Sequence, residues 1–331
     1  MNLQLAENQV KEWAEANSYS LGLIRSKIEA KYIWNPGGFV NQSFRLSDGE
    51  TIRHLKLVQE RNAPRLKQWA LLSNYLTNNY NAPRLIREVS QEIITGYCYG
   101  LVFEFIKGKP LSSFSNPAPV IEKVLHALSR LHKDKNIKTV MTSVPTKPTY
   151  SDAFIEEYIN RFEEDLQVIR AEKHLLYFVT EDTLNWFESE IEELRKIVKE
   201  TPSFQKKATD VVHNDLNWEN VLANDNFDFW IIDWDSLAGE GDAAMDYSVL
   251  LWPLYHSEDW AHWKNRLIAS AGEEVFERVA IYFRAKLLDD VIDVLADYVD
   301  AENVPEVKEM TQKRAKEIHL RAYSEYVSLY K

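Results

Sequence analysis

From Lys31 to Phe105 the apolar residues come in short runs separated by turn formers, and beyond that point they fall into helical spacing. "YIW", Asn35-Pro36-Gly37-Gly38, "FVNQSFRL", "SDGE" and "TIRHLKLV" read as consecutive antiparallel strands joined by tight turns. "PRLKQWALLSNYL" repeats Leu66, Trp69, Leu72 and Leu76 at helical intervals, with Pro64 at the first helical position, where a missing N–H costs little. "EIITGYCYGLVFEF" predicts a hairpin turning at Gly96, and "IKGKPL" a connection between two lobes.

Three amphipathic helices are expected downstream. Ile121, Val124, Leu125, Leu128 and Leu131 mark the first. Phe154, Tyr158, Phe162, Leu166 and Ile169 mark the second, after a cap at Ser151-Asp152. Leu184, Phe187, Ile191, Leu194 and Ile197 mark the third. One β interruption breaks this half, the stretch "VVHNDLNWENVLANDNFDFWIIDWD" from Val211 to Asp235. Val221-Leu222 leads into the turn-prone Asn224-Asp225-Asn226 and "FDFWII" runs back, a hairpin that sets Asn220 close to Asp233. Asp215 lies on a loop near the same end, and convergent oxygen ligands of this kind suit Mg²⁺.

At 331 residues the chain exceeds one typical domain, so two lobes are expected. The 45% hydrophobic share is enough for a sizeable core. The single cysteine, Cys98, excludes a disulfide framework and a cysteine-built zinc site, and it fits a reducing compartment. The first residues, "MNLQLAENQVKEWAEANS", lack the apolar stretch of a secretory signal. The run Val249 to Tyr255 is too short to span a bilayer, so a cytoplasmic protein is expected. A net charge of −12 disfavours nucleic acid and anionic membrane partners and leaves a cationic small molecule well tolerated.

His213-x-Asp215-x-x-x-x-Asn220 followed by Asp233 resembles the catalytic loop and metal-binding segment of the protein-kinase-like superfamily. The form is similar to that of aminoglycoside phosphotransferases and choline kinases. Asn214 stands where protein kinases usually have arginine, and Asp233-Trp234-Asp235 replaces Asp-Phe-Gly. "GEGDAAMDYSVLLW" offers no activation segment, and Asp242 and Asp246 within it are read as structural. The resemblance extends from about Tyr32 to Trp252.

It implies an α+β, two-lobed protein-kinase-like fold: a small antiparallel-sheet N-lobe over residues 1–106 and a larger, mostly helical C-lobe over 107–331. It also implies Mg²⁺-dependent transfer of the ATP γ-phosphoryl group to a small-molecule hydroxyl. Asp215 would then be the catalytic carboxylate, Asn220 and Asp233 the metal ligands, and His213 a support for the loop backbone. Asp235 would be a second metal contact or a structural acceptor. Gly37 and Gly38 would cover the phosphates, Lys56 would reach them from a strand, and backbone groups at Glu104, Phe105 and Ile106 would bind adenine.

The chain departs from the family where a helix glutamate should pair with the lysine. "RLKQWALL" has Gln68 or Trp69 there, and Glu60 lies early. That departure keeps a weakly active or inactive nucleotide-binding protein as an alternative; a protein Ser/Thr kinase is a second, opposed by the missing activation segment. For the acceptor, Asp289, Asp293 and Asp297 fall at i, i+4 and i+8 on one helix face, opposite Ile292, Leu295 and Val299. They are either a solvated face or the lining of a pocket for a cation. Trp252, with Trp260 and Trp263, offers a cation–π alternative. Both routes favour a cationic or amino-bearing alcohol, such as an aminoglycoside or choline-like compound.

Overall fold

Five strands, β1 (Glu29–Ile33), β2 (Asn41–Ser47), β3 (Ile52–Val58), β4 (Leu85–Val89) and β5 (Tyr99–Glu104), form an antiparallel sheet in the order β1-β2-β3-β5-β4. The structure, a computed structural model, describes residues 3–33, 41–141, 148–305 and 308–331. The sheet belongs to the first of two units, Met1–Ser143 with His213–Ala238. On its central strand, Leu55 and Leu57 join Phe44 and Leu46 in a core closed by Ala6, Val10 and Trp13 of the helix Leu3–Ala16. Strand alternation therefore sends Lys56 to the opposite face, where it is buried. β5 runs close beside it because residue 100 is glycine; a Cβ there would meet Leu57 Cδ2 at 2.6 Å and the Lys56 carbonyl at 2.7 Å.

On the Lys56 face lies the helix Ala63–Tyr80, which buries Leu66, Trp69, Leu72 and Leu76, with the Trp69 ring stacked on Phe103 of β5 at 4.3 Å. Ala63 is its first residue, so Pro64 is the second, one later than the sequence predicts. The chain turns at Gly96 as expected, in the left-handed region at φ +87°. The arm that pairs with β5 nevertheless lies upstream, at β4, which is the sheet's edge and carries Arg87 and Glu88. Edge strands tolerate charge, so the alternation expected of a strand is blurred there.

The predicted hairpin forms with Val221 opposite Ile231, Leu222 opposite Trp230 and Ala223 opposite Phe229. Its turn is two residues longer than expected, since the return strand starts at Phe229: Asn224 Oδ1 accepts from the N–H groups of Asn226 and Asp228 at 3.0 and 2.9 Å, and Phe227 sits at φ +60°. The "IKGKPL" connection contributes Lys109–Pro110 as a third strand beside Val221–Ala223.

The second unit, Val144–Val212 with Gly239–Lys331, is mostly helical. It is built around the long helix Glu273–Asp300, with Asn160–Ala171, Ala243–Leu251, Trp260–Ala271 and Lys308–Tyr330 packed on it. A second β pair, Asp210–Val212 with Ala238–Gly241, flanks the loop stretch that the sequence marked as the single interruption. The cap of the helix starting at Tyr150 is Thr149 rather than Ser151-Asp152. Thr149 Oγ1 accepts from the Asp152 N–H at 3.1 Å, and Asp152 Oδ2 accepts from the Thr149 N–H at 3.0 Å, a reciprocal capping box. Asp242 has the structural role expected of it: it caps Ala243–Leu251 and takes a buried two-pronged contact from Arg278 at 2.8 and 2.9 Å. Among the described residues no helix is long and apolar enough to cross a membrane.

Candidate active site

Lys56 of β3 meets two carboxylates of the segment that follows the hairpin. Its ammonium donates to Asp233 Oδ1 and, at 2.9 Å, to Asp235 Oδ2. Asp235 Oδ2 also accepts from Asn41 Nδ2 at 3.3 Å, and the Trp69 ring lies 5.7 Å from the ammonium. Burial alone would lower the Lys56 pKa, but attraction to Asp233 and Asp235 outweighs it and holds the group charged well above its ordinary value. Burial, with Lys56 nearby, lowers His54 to about 4 and keeps it neutral. Asp235 is pushed up, first by burial and then by repulsion from Asp233.

The loop before the hairpin is held by its own side chains. Asn217 Nδ2 donates to Asp215 Oδ1 at 2.8 Å, and Asn220 Nδ2 donates to Asp215 Oδ2 at 2.9 Å and to the Asp215 carbonyl at 2.8 Å. Asn217 Oδ1 in turn accepts from the N–H groups of Glu219 and Asn220 at 2.9 and 3.1 Å. His213 is fully buried, and its Nδ1 accepts from the Asp215 N–H at 3.3 Å. The ring proton therefore sits on Nε2, which donates to the Ile232 carbonyl at 3.0 Å. Asn214 and Asp233 both occupy the left-handed region at φ +67°, a conformation Asn and Asp adopt at lower cost than most residues.

The Ile232 N–H donates to the Asn220 carbonyl at 2.9 Å, so the hairpin brings Asn220 level with the residue before Asp233. Asn217 was not singled out by the sequence. It reads there as an ordinary turn former, and only the Asp215-x-Asn217 spacing, which suits a side chain reaching back two residues, pointed to it.

A hard divalent cation fits the oxygen atoms here. The Nδ2 of Asn220 is committed to Asp215, which leaves Oδ1 without a donor among the described residues, and the Asp233 side chain is about a third exposed. No three His, Cys, Asp or Glu converge into a metal cage among the described residues. Mg²⁺ needs none, being bound by one or two protein oxygens together with substrate phosphates.

Of the residues expected at adenine, Glu104 gives its N–H to the Arg84 carbonyl at 2.9 Å and takes the Arg84 N–H on Oε1 at 2.9 Å. Phe105 and Ile106 follow, half-buried, beyond the last residue of β5. Gly37 and Gly38 lie outside the described residues. Glu60 is exposed in the turn Glu60–Asn62.

Within the second unit, Asp289 is buried between two cations. Arg161 contacts Oδ1 and Lys286 reaches Oδ2 at 2.7 Å. Burial opposes its charge, but Arg161 and Lys286 hold its pKa below the ordinary value. Asp293, half-buried on the same face, is pushed to about 7 by burial and then by Asp289. Burial, and then Asp300, raises Asp297 to about 6. Burial raises Asp165, on the facing helix, to about 6. The face is thus a half-buried charge cluster and not freely solvated. Trp252 is half-buried and packs on Phe283 at 5.7 Å, as Trp260 does at 5.4 Å, whereas Trp263 is buried.

A family model described as a phosphotransferase enzyme family matches residues 34–282. No curated protein sequence matches the chain. Among solved structures, an ethanolamine kinase of Plasmodium vivax superposes with a TM-score of 0.56 at 16% identity, covering 90% of this chain and 84% of that one. A choline kinase of Streptococcus pneumoniae gives 0.55 at 16% identity, over 94% and 99%. A spectinomycin phosphotransferase solved with ADP and spectinomycin gives 0.55 at 14% identity, over 92% and 89%. At these identities the likeness is one of fold, and that fold is kinase-like.

Proposed function

The chain belongs to the phosphotransferase enzyme family, and on that premise we propose that it transfers the γ-phosphoryl group of ATP to a hydroxyl of a cationic or amino-bearing alcohol. The observation that carries this reading is the loop in which Asn217 and Asn220 each fix one oxygen of Asp215, while the hairpin joins that loop to the Lys56–Asp233–Asp235 cluster. Asp215 accepts a hydrogen bond from the acceptor hydroxyl, aims its oxygen at the γ-phosphorus and takes its proton as the new O–P bond forms and the bond to ADP breaks. With both carboxylate oxygens tethered, the base cannot swing away from that line. Lys56 sets a fixed positive charge against the polyphosphate. The Oδ1 of Asn220 and the carboxylate of Asp233 would hold Mg²⁺, which when bound offsets phosphate charge. Adenine is read by the backbone at Phe105 and Ile106, since the Glu104 N–H is already taken.

The acceptor class is supported by two features. The similar structures include kinases named for ethanolamine and choline and a phosphotransferase named for spectinomycin, three alcohols that carry an amino or quaternary ammonium group. The long helix, moreover, carries Asp293 and Asp297, half-buried carboxylates that make no ion pair among the described residues, although Arg161 and Arg314 lie near enough to lower their pKa values. The lone cysteine and the need for ATP suit the cytoplasm. The test is ADP formation by purified protein with Mg²⁺ and ATP, screened against choline, ethanolamine, aminoglycosides and neutral sugars, with Asp215→Asn in parallel. Acceptor-dependent ADP release that the variant loses is the expected result. ADP release with no acceptor dependence, or an equally active variant, overturns the reading.

A further inference from the structure

Resting on the ATP reading above, we propose that Asp235 is the positioning residue for Lys56, holding its ammonium toward the polyphosphate while Asp233 serves the metal. The helix Ala63–Tyr80 brings no carboxylate to this lysine. Its Trp69 offers a ring 5.7 Å away, which attracts a cation without fixing its direction. Gln68, one residue earlier, gives its amide to the Leu237 carbonyl at 2.8 Å. Among the described residues the ion-pair partners of Lys56 are Asp233 and Asp235 alone.

The two are not equivalent. The Asp233 side chain is 31% exposed, at a left-handed residue directly after Ile232, whose N–H pairs with the Asn220 carbonyl, whereas the Asp235 side chain is 16% exposed. Asp235 also sits on a turn pinned at several points. Trp234 is fully buried, donates from Nε1 to the Ile231 carbonyl at 2.7 Å and packs on Tyr80 and His213. Gln68 holds the turn's far end through Leu237, and Asn41 donates to the same Asp235 oxygen that Lys56 uses. The helix thus acts on the lysine indirectly, by fixing the turn that bears its partner. Lysine anchor and metal ligand stand two residues apart on one segment, so they are assembled together whenever that segment folds.

The test measures ATP binding, without turnover, in EDTA and in Mg²⁺, for wild type, Asp235→Asn and Asp233→Asn. Removing a negative charge near a polyphosphate strengthens binding if nothing else changes. If Asp235 positions Lys56, Asp235→Asn instead weakens ATP binding about tenfold or more in EDTA and by the same factor in Mg²⁺, as loss of a buried charge partner does. Asp233→Asn, at the more exposed of the two partners, should lose the enhancement that Mg²⁺ brings and cost metal-free binding less than Asp235→Asn does. Adding Trp69→Glu to Asp235→Asn supplies a carboxylate from the helix and should restore metal-free affinity; if that double variant does not fold, the EDTA comparison decides alone. Metal-free binding unchanged or tightened in Asp235→Asn, with the Mg²⁺ enhancement lost, would make Asp235 a metal ligand and overturn the proposal. A wild type that binds no ATP under either condition overturns the ATP reading itself, a separate outcome.

Discussion

Asp215 is tethered at both oxygens by neutral amides, an arrangement that fixes a carboxylate without neutralising its charge. Replacing it with asparagine keeps the shape and removes the base. Asp215→Asn should bind ATP nearly as wild type does while phosphoryl transfer falls by about two orders of magnitude or more, the usual worth of a positioned base. Parallel nucleotide titration and turnover check it, and retained turnover would refute the assignment. Asn217 acts one step back. Asn217→Ala frees one carboxylate oxygen and the two N–H groups that Asn217 Oδ1 receives, so kcat should fall about tenfold with the KM for ATP little changed, because misorientation is felt in the chemical step. A fall confined to KM would instead show that Asn217 serves binding. The motif residues stand out in sequence because their types and spacing follow the catalytic-loop pattern they resemble. Asn217 does not, because its contact exists only once the loop is closed.

At the scale of elements, the helix Glu273–Asp300 carries the most unusual charges in the second unit. Asp293 has an ordinary value of 3.8 and is raised to about 7, chiefly by burial and then by Asp289. Between those values the folded chain keeps a proton that the unfolded chain releases. Stability from this group therefore rises as pH falls through the window, and the penalty is complete above it. Asp293→Asn should raise Tm at pH 8 and do little at pH 4.5, read by thermal melts at both. An equal rise at both would point to packing rather than charge. If Asp293 also receives a cationic acceptor, the same substitution weakens acceptor binding, so the residue trades stability for function. The helix and its three aspartates were readable from i, i+4 spacing, but the fate of Asp289 was not. Arg161 lies 128 residues away along the chain, and no local pattern records that pairing. For the same reason β3 and the hairpin at Val221 were recognised from alternation and turn residues, whereas β4 was hidden by its edge charges. The helix Leu3–Ala16 is not among the expected elements, although Ala6, Val10, Trp13 and Ala14 carry helical spacing, because two of those four are small alanines that mark an apolar face only weakly.

For the whole molecule the governing quantity is a net charge of −12, from 51 acidic against 39 basic residues. Such a chain attracts cations over distances that direct contact does not reach, and salt shortens that reach to roughly 10 Å at 0.1 M and 3 Å at 1 M. A cationic acceptor should therefore lose kcat/KM as ionic strength rises from about 0.05 to 0.5 M, while a neutral sugar, if turned over at all, should not. The size of that loss separates two sources of attraction. If Asp293 and Asp297 contact the acceptor, the double change to asparagine flattens the salt dependence and raises KM for the cation, leaving turnover at saturation close to wild type. If only the diffuse field acts, the same change removes two charges of twelve and the slope barely moves. The measurement is kcat/KM for choline, an aminoglycoside and a neutral sugar at the two ionic strengths, for wild type and the double variant. Best turnover on a neutral or anionic acceptor, indifferent to both salt and the helix carboxylates, would remove the cation from the substrate class while leaving the proposed phosphoryl transfer at Asp215 untouched.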